Sequence, residues 1–197
     1  MKFYRFLMWL FRFKPVGYEQ IPVKKCVILM APHTSIIDFF YGMICIRWLR
    51  LKMAMVMKKE FFVFPIKGFL KRIGCVPVDR KHATNFVSYA VDLINSREEV
   101  AFLICPEGTR KRVENWKKGF YHIAMGAGVP IFCSHIDYVS RTMGVGKIFY
   151  PTGDYEKDLE EILHYYYGMR GWRKGLFNLE DKPYAHPEWL KKRIRKI

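Results

Sequence analysis

Apolar, strand-like runs alternate with helical stretches along most of this chain, and that alternation leaves one economical packing, a sheet covered by helices. Residues 23–30, 53–57, 75–78, 100–105 and 129–136 read as strands, and 147–151 as an edge strand. Residues 35–49, 65–73, 84–95, 119–125 and 155–167 carry helical patterning between them. With 197 residues there is enough chain for one such domain and its core, and no repeat, low-complexity tract or Gly/Ser linker marks a boundary. The expected fold class is α/β: a single domain over 17–197 with a mixed central sheet flanked by helices, preceded by an amphipathic interfacial helix within 1–16.

That leading segment, Met-Lys-Phe-Tyr-Arg-Phe-Leu-Met-Trp-Leu-Phe-Arg-Phe, is interrupted by basic residues and lacks a small-residue cleavage site, so it does not read as a secretory leader. It is also shorter than the ~20 apolar residues that span a bilayer. At about 100° per residue, Lys2, Arg5 and Arg12 fall in one narrow sector of a helix, with Phe3, Leu7, Leu10 and Phe11 outside it. Such a helix lies in a membrane interface or packs on the protein's own core. A second basic segment, residues 191–196, is either a membrane contact or a solvated helix end. The 34 basic and 18 acidic residues give a net charge of +16, which predicts an acidic partner: nucleic acid, an anionic membrane or a polyanionic substrate. Five scattered cysteines, mostly in apolar runs, show no spacing for a metal site or a disulfide framework and fit a reducing, cytoplasmic setting.

Two strands end in residues that carry chemistry, and the carboxyl ends of strands are where open α/β sheets place their ligands. After residues 23–30 come His33 and Asp38. On one continuous helix, side chains five residues apart point about 140° apart and cannot meet. If His33 instead occupies the turn before the helix, with Thr34 or Ser35 as N-cap, its imidazole can fold back onto Asp38 in the first turn. A histidine oriented by an aspartate is suited to act as a general base, although the same pair also serves as an ordinary structural hydrogen bond. After residues 100–105 comes Pro106-Glu107-Gly108-Thr109-Arg110. Arg110 can grip a phosphate bidentately, Gly108 lets backbone approach a ligand, and Glu107 can accept from substrate hydroxyls or fix Arg110. Thr109 adds a hydroxyl to the loop, and Arg80 is the best second phosphate ligand. Lys67 and Lys71 read as a solvated basic helix face, and His122 and His135 as structural.

In this order the residues resemble the glycerophospholipid acyltransferase family, which includes the 1-acyl-glycerol-3-phosphate (lysophosphatidate) acyltransferases. His33-Thr-Ser-Ile-Ile-Asp38 is similar to its His-four-residues-Asp block, residues 74–80 to its second, residues 106–110 to its third, and Val129-Pro130-Ile131 to its fourth. The resemblance implies His33 as general base, Asp38 as its orienter, and Arg80, Glu107 and Arg110 around the acceptor's glycerol phosphate. It places Val129, Pro130 and Ile131 on the acyl-donor side. It further implies direct transfer without a metal, a cofactor or an acyl-enzyme, with acyl-CoA or an acyl carrier protein thioester as co-substrate and a lysophospholipid as acceptor, 1-acyl-glycerol-3-phosphate first, with another lysolipid or an aminolipid as the alternative. Cys105 stands where the family commonly has an aromatic or aliphatic residue, and the amino end offers less material than a two-helix anchor needs. Peripheral or monotopic attachment to the cytoplasmic face of an anionic membrane, through the first helix and the basic surface, is therefore expected.

Two readings from other classes stay open. Cys105 at a strand end can act as a thiol nucleophile with His33 in a thioesterase or other hydrolase. A basic, aromatic surface can bind polyanions without catalysis, although no nucleic-acid-binding module is recognisable and nucleic acid is not the expected partner.

Overall fold

The structure, a computed structural model, describes residues 2–17, 22–78 and 86–194. Its strands are β1 (Lys14–Gly17), β2 (Lys25–Met30), β3 (Met53–Lys58), β4 (Cys75–Val78), β5 (Val100–Ile104), β6 (Ile131–Asp137) and β7 (Thr142–Phe149). The helices are α1 (Lys2–Leu10), α2 (Ile37–Trp48), α3 (Ile66–Arg72), α4 (Phe86–Asn95), α5 (Gly119–Ala127), α6 (Tyr155–Tyr165) and α7 (Pro187–Ile194). One mixed sheet runs in the order β1-β7-β6-β2-β5-β3-β4, and every neighbouring pair is parallel except β6 with β7.

β2 shows why helices must cover both faces. Its successive side chains alternate, as the pleat requires, and both sets are apolar. Val27 and Leu29 join Phe102, Ile131 and Cys133 in a core shared with Ala90, Ile94, Phe120, Ile123 and Ile162 from α4, α5 and α6. Cys26, Ile28 and Met30 join Ala101, Leu103 and Phe132 in a second core with Met8, Cys45 and Trp48 from α1 and α2. Each fully buried aliphatic side chain contributes about 1.5–3 kcal/mol, so neither face of β2 can be left wet.

The sheet differs from expectation at one edge. β7 begins at Thr142, not at Lys147, and it is an interior strand, because the short β1 pairs outside it. Gly144 and Gly146 interrupt the apolar pattern that would have announced this strand. Gly144 is needed there: it has φ 152°, and a Cβ would collide with the carbonyl of Val16 in β1.

The first helix serves the core and the surface at once. Met8 is fully buried, while Phe3, Phe6, Trp9 and Leu10 are exposed, Trp9 by 70%. Arg12 lies past the helix end rather than in its basic sector, at φ 58°, in a left-handed C-terminal turn closed by a hydrogen bond from Phe13 N to Met8 O (2.8 Å). No helix among the described residues is long and apolar enough to cross a membrane. At the other end α7 docks through Trp189, whose ring stacks on His186 (4.0 Å) and His135 (4.8 Å). The basic side chains of 191–196 lie outside the described residues.

Candidate active site

Because β6, β2 and β5 are adjacent and parallel, the residues that follow them share one rim of the sheet. His33 follows β2, Glu107 follows β5, and Tyr138 follows β6. The expected fold-back of His33 onto Asp38 is present. His33 Nδ1 lies 3.4 Å from Asp38 Oδ2, with the imidazole partly exposed and the carboxylate buried at 1%.

The cap differs from expectation in detail. α2 starts at Ile37, and Ile36 at its N-cap provides no side-chain bond. Instead Asp38, inside the first turn, reaches back and accepts from Thr34 N (2.8 Å) and Ser35 N (2.9 Å). One carboxylate thus ties down two amides of the turn ahead of the helix and presents an edge to the imidazole, while Ser35 Oγ accepts from Ile37 N, the first amide of α2 (3.3 Å). Its other oxygen, Oδ1, accepts from the Tyr138 hydroxyl at 2.8 Å. Burial and the neighbouring Asp38 carboxylate raise the Tyr138 phenol well above its usual range, so it stays a donor.

Glu107 is buried at 4% and accepts from His33 N through Oε1 at 2.9 Å. It thereby joins the turn after β5 to the turn after β2. It fixes the His33 backbone, and no ion pair to Arg110 forms among the described residues. Oε2 is buried with no hydrogen-bond partner among those residues. Burial is the main cause that moves this carboxyl up from 4.5 to about 7, against the backbone hydrogen bonds that lower it.

The rest of the loop is open. Gly108 has φ 66° and donates to Cys105 O (3.1 Å), and a Cβ on it would press into the Lys117 side chain. Thr109 and Arg110 are exposed, and Thr109 Oγ1 accepts from Lys111 N (3.3 Å). Lys117 therefore lies over the loop as a further cation. Arg80 lies outside the described residues. Val129, Pro130 and Ile131 are buried at the amino end of β6, where Ile131 pairs with Val27; the site rim is at the other end of these strands.

Cys105 is partly buried and packs against the core on the α1 and α2 side. Cys26, Cys45 and Cys133 are buried thiols pushed up to about 12 by desolvation, which leaves them without thiolate character. His135 is fully buried between Tyr165 (2.7 Å) and Thr142 (3.1 Å), as expected of a structural histidine.

Two contributors carry no signal in a linear reading. Tyr138 stands among other tyrosines with no motif around it. The strap over residues 170–174 crosses the His33 turn: Arg173 N donates to Thr34 Oγ1 (3.1 Å), and a Cβ on Gly171 would strike the Thr34 side chain.

This geometry has counterparts in known proteins. A family model described as Acyltransferase matches residues 12–136. The 1-acyl-sn-glycerol-3-phosphate acyltransferase of Cocos nucifera is 28% identical over 182 residues, covering 82% of this chain and 57% of that protein. The enzyme of the same name from Limnanthes alba is 33% identical over 116 residues, covering 55% of this chain and 40% of its own length. The chain thus spans about half the length of these relatives. In fold it is similar to the crystal structure of the 1-acyl-sn-glycerophosphate (LPA) acyltransferase PlsC from Thermotoga maritima, with TM-score 0.59, 22% identity, and coverage of 81% of this chain and 71% of the other.

Proposed function

This chain belongs to the acyltransferase family, and from that premise we propose that it moves a fatty acyl group from a thioester to the hydroxyl of a lysophospholipid, with 1-acyl-glycerol-3-phosphate as acceptor and phosphatidic acid as product. The observation that carries this reading is the connected set on one rim: His33 facing Asp38, Asp38 held by Tyr138, and Glu107 bonded to the His33 backbone.

In the proposed reaction His33 takes the acceptor's hydroxyl proton on Nε2 while Nδ1 faces Asp38. The hydroxyl oxygen attacks the thioester carbonyl carbon, and the tetrahedral oxyanion collapses by breaking the C–S bond. The departing thiolate takes the proton from His33, which returns the base to its starting form. General base catalysis supplies about 10²- to 10⁴-fold in rate. The remainder comes from positioning and from stabilising the oxyanion. Arg110 and Arg80 are assigned to the acceptor's phosphate, with Lys117 as a further cation beside Arg110. Gly108 and Thr109 shape the loop around it. The unpartnered Oε2 of Glu107 is the group on which an acceptor hydroxyl would register. Val129, Pro130 and Ile131 act on the donor side through the packing of β6. No metal or other cofactor enters this scheme.

The acceptor resides in a bilayer, and the surface suits one. Besides α1, the segment around α3 exposes Phe61, Val63, Phe64, Ile66 and Phe69, Phe64 by 96%, with exposed Lys67, Lys71 and Arg72 among them. Apolar side chains flanked by cations fit an anionic membrane surface from the cytoplasmic face. The test is incubation of purified protein with a long-chain acyl thioester and a panel of lysophospholipids, with products identified by mass spectrometry. Phosphatidic acid from 1-acyl-glycerol-3-phosphate supports the reading; thioester consumption with no acylated lipid from any acceptor contradicts it.

A further inference from the structure

The order of the three rim strands places His33 between two loops that each carry an arginine. Glu107 and Arg110 follow β5 on one side, and Tyr138 through Arg141 follow β6 on the other. On the β6 side lies an open cavity of about 300 Å³, lined by Tyr138, Arg141, Arg170, Gly171, Trp172 and Lys174. None of its three cations forms an ion pair with a described residue; Arg141 instead stacks over the Phe13 ring (5.4 Å).

Both edges of this cavity are fixed by one fully buried carboxylate. Asp137 accepts from Val139 N (3.0 Å) and Ser140 N (3.1 Å) in the turn after β6, and from Arg170 N (3.0 Å) in the strap. Tyr138 N donates back to Arg170 O (3.0 Å), and Arg173 N anchors the strap on Thr34. The Trp172 indole meets the Tyr138 ring edge-on (5.4 Å, 73°) and leaves about half of its surface exposed. Three cations without an ion pair among the described residues, around a concave, pre-set backbone, attract phosphate, the guanidinium forks donate to it bidentately, and an exposed indole face offers stacking to a base.

We propose that this cavity holds the phosphorylated nucleotide end of a coenzyme A thioester, so that the acyl donor reaches His33 from the β6 side and the acceptor from the β5 side. The inference rests on the acyl-transfer reading for its ligand, yet it is tested by binding alone. Coenzyme A without an acyl group is titrated into the wild type, His33→Ala, Arg141→Gln/Lys174→Gln and Trp172→Ala by calorimetry, with circular dichroism to verify folding. Wild type and His33→Ala are expected to bind alike, with affinity about tenfold weaker or more in the double variant. Trp172→Ala, an exposed position, serves if the double variant fails to fold: it should weaken coenzyme A and leave inorganic diphosphate binding unchanged. Equal affinity in wild type and variants overturns the proposal. So does a loss confined to phosphatidic acid vesicles, which would assign the cations to a lipid headgroup. Acyl transfer from an acyl carrier protein by a wild type that does not bind coenzyme A would overturn this site and leave the enzymatic reading standing.

Discussion

The Tyr138 hydroxyl donates to Asp38 Oδ1 at 2.8 Å between residues that stand 100 positions apart in the sequence. The contact locks the face of Asp38 that the imidazole does not use. It also ties the turn after β6 to the first turn of α2. Replacing Tyr138 with Phe keeps the ring packing and removes one donor from a buried carboxylate, a loss of about 1–3 kcal/mol. We predict that kcat falls about tenfold or more with little change in acceptor KM, and that the acidic limb of the kcat/KM pH profile moves. A variant with wild-type kcat and an unshifted profile would leave Tyr138 a packing residue only.

Glu107 makes stability depend on pH with a defined sign. Its carboxyl moves from 4.5 to about 7 on folding, so between these values the native state holds a proton that the unfolded chain has released. Stability from this group is therefore fully present below about pH 4.5 and is lost as pH rises toward 7, by an amount on the order of 3 kcal/mol. Glu107→Gln retains an acceptor for His33 N and cannot ionise. The stability difference between wild type and variant, followed by thermal melts from pH 4 to 8, should tilt in favour of the variant as pH rises. A difference that stays constant across that range would contradict the assignment.

Cys105 supplies the cleanest separation between direct transfer and a thiol nucleophile. Cys105→Ser is predicted to keep turnover within about threefold of wild type, because the thiol packs on the core and direct transfer forms no bond to sulfur. Abolished turnover in a folded variant, measured with thioester consumption, would favour the covalent route.

The exposed aromatic surface predicts a lipid phenotype. Trp9→Asp and Phe64→Asp alter positions that are 70% and 96% exposed, so folding should be retained within about 0.5 kcal/mol. Each is expected to lower binding to anionic vesicles severalfold in co-sedimentation. Unchanged binding by the double variant would remove these residues from the membrane contact.

Much of the architecture was legible because local signals and packing agree. The strand over 100–104, uniformly apolar and stopped by Pro106, sits in the interior of the sheet. The pairing of His33 with Asp38 followed from helix geometry, since the two can meet only if one precedes the helix. What escaped was set by contacts distant in sequence. β7 was hidden by Gly144 and Gly146, whose purpose appears only when β1 lies beside the first and Tyr165 of α6 packs against the second. Of the two cap candidates, Ser35 accepts through Oγ from Ile37 N, the first amide of α2, although Ile36 holds the N-cap position, and Asp38 reaches back to the Thr34 and Ser35 amides ahead of the helix. Glu107 read as a ligand for substrate or for Arg110, and its bond to His33 N depends on β2 and β5 being neighbours. Tyr138 and the Gly171 strap have no local pattern at all, because their meaning lies wholly in what the fold brings to them.

The central claim is that His33 removes the acceptor's proton, and its most direct test compares wild type with His33→Ala for transfer from a long-chain acyl thioester to 1-acyl-glycerol-3-phosphate in vesicles. We predict phosphatidic acid from the wild type and none above background from a variant whose circular dichroism and melting are intact, a loss of about 10²-fold at the least. Transfer by His33→Ala at close to the wild-type rate would contradict the account.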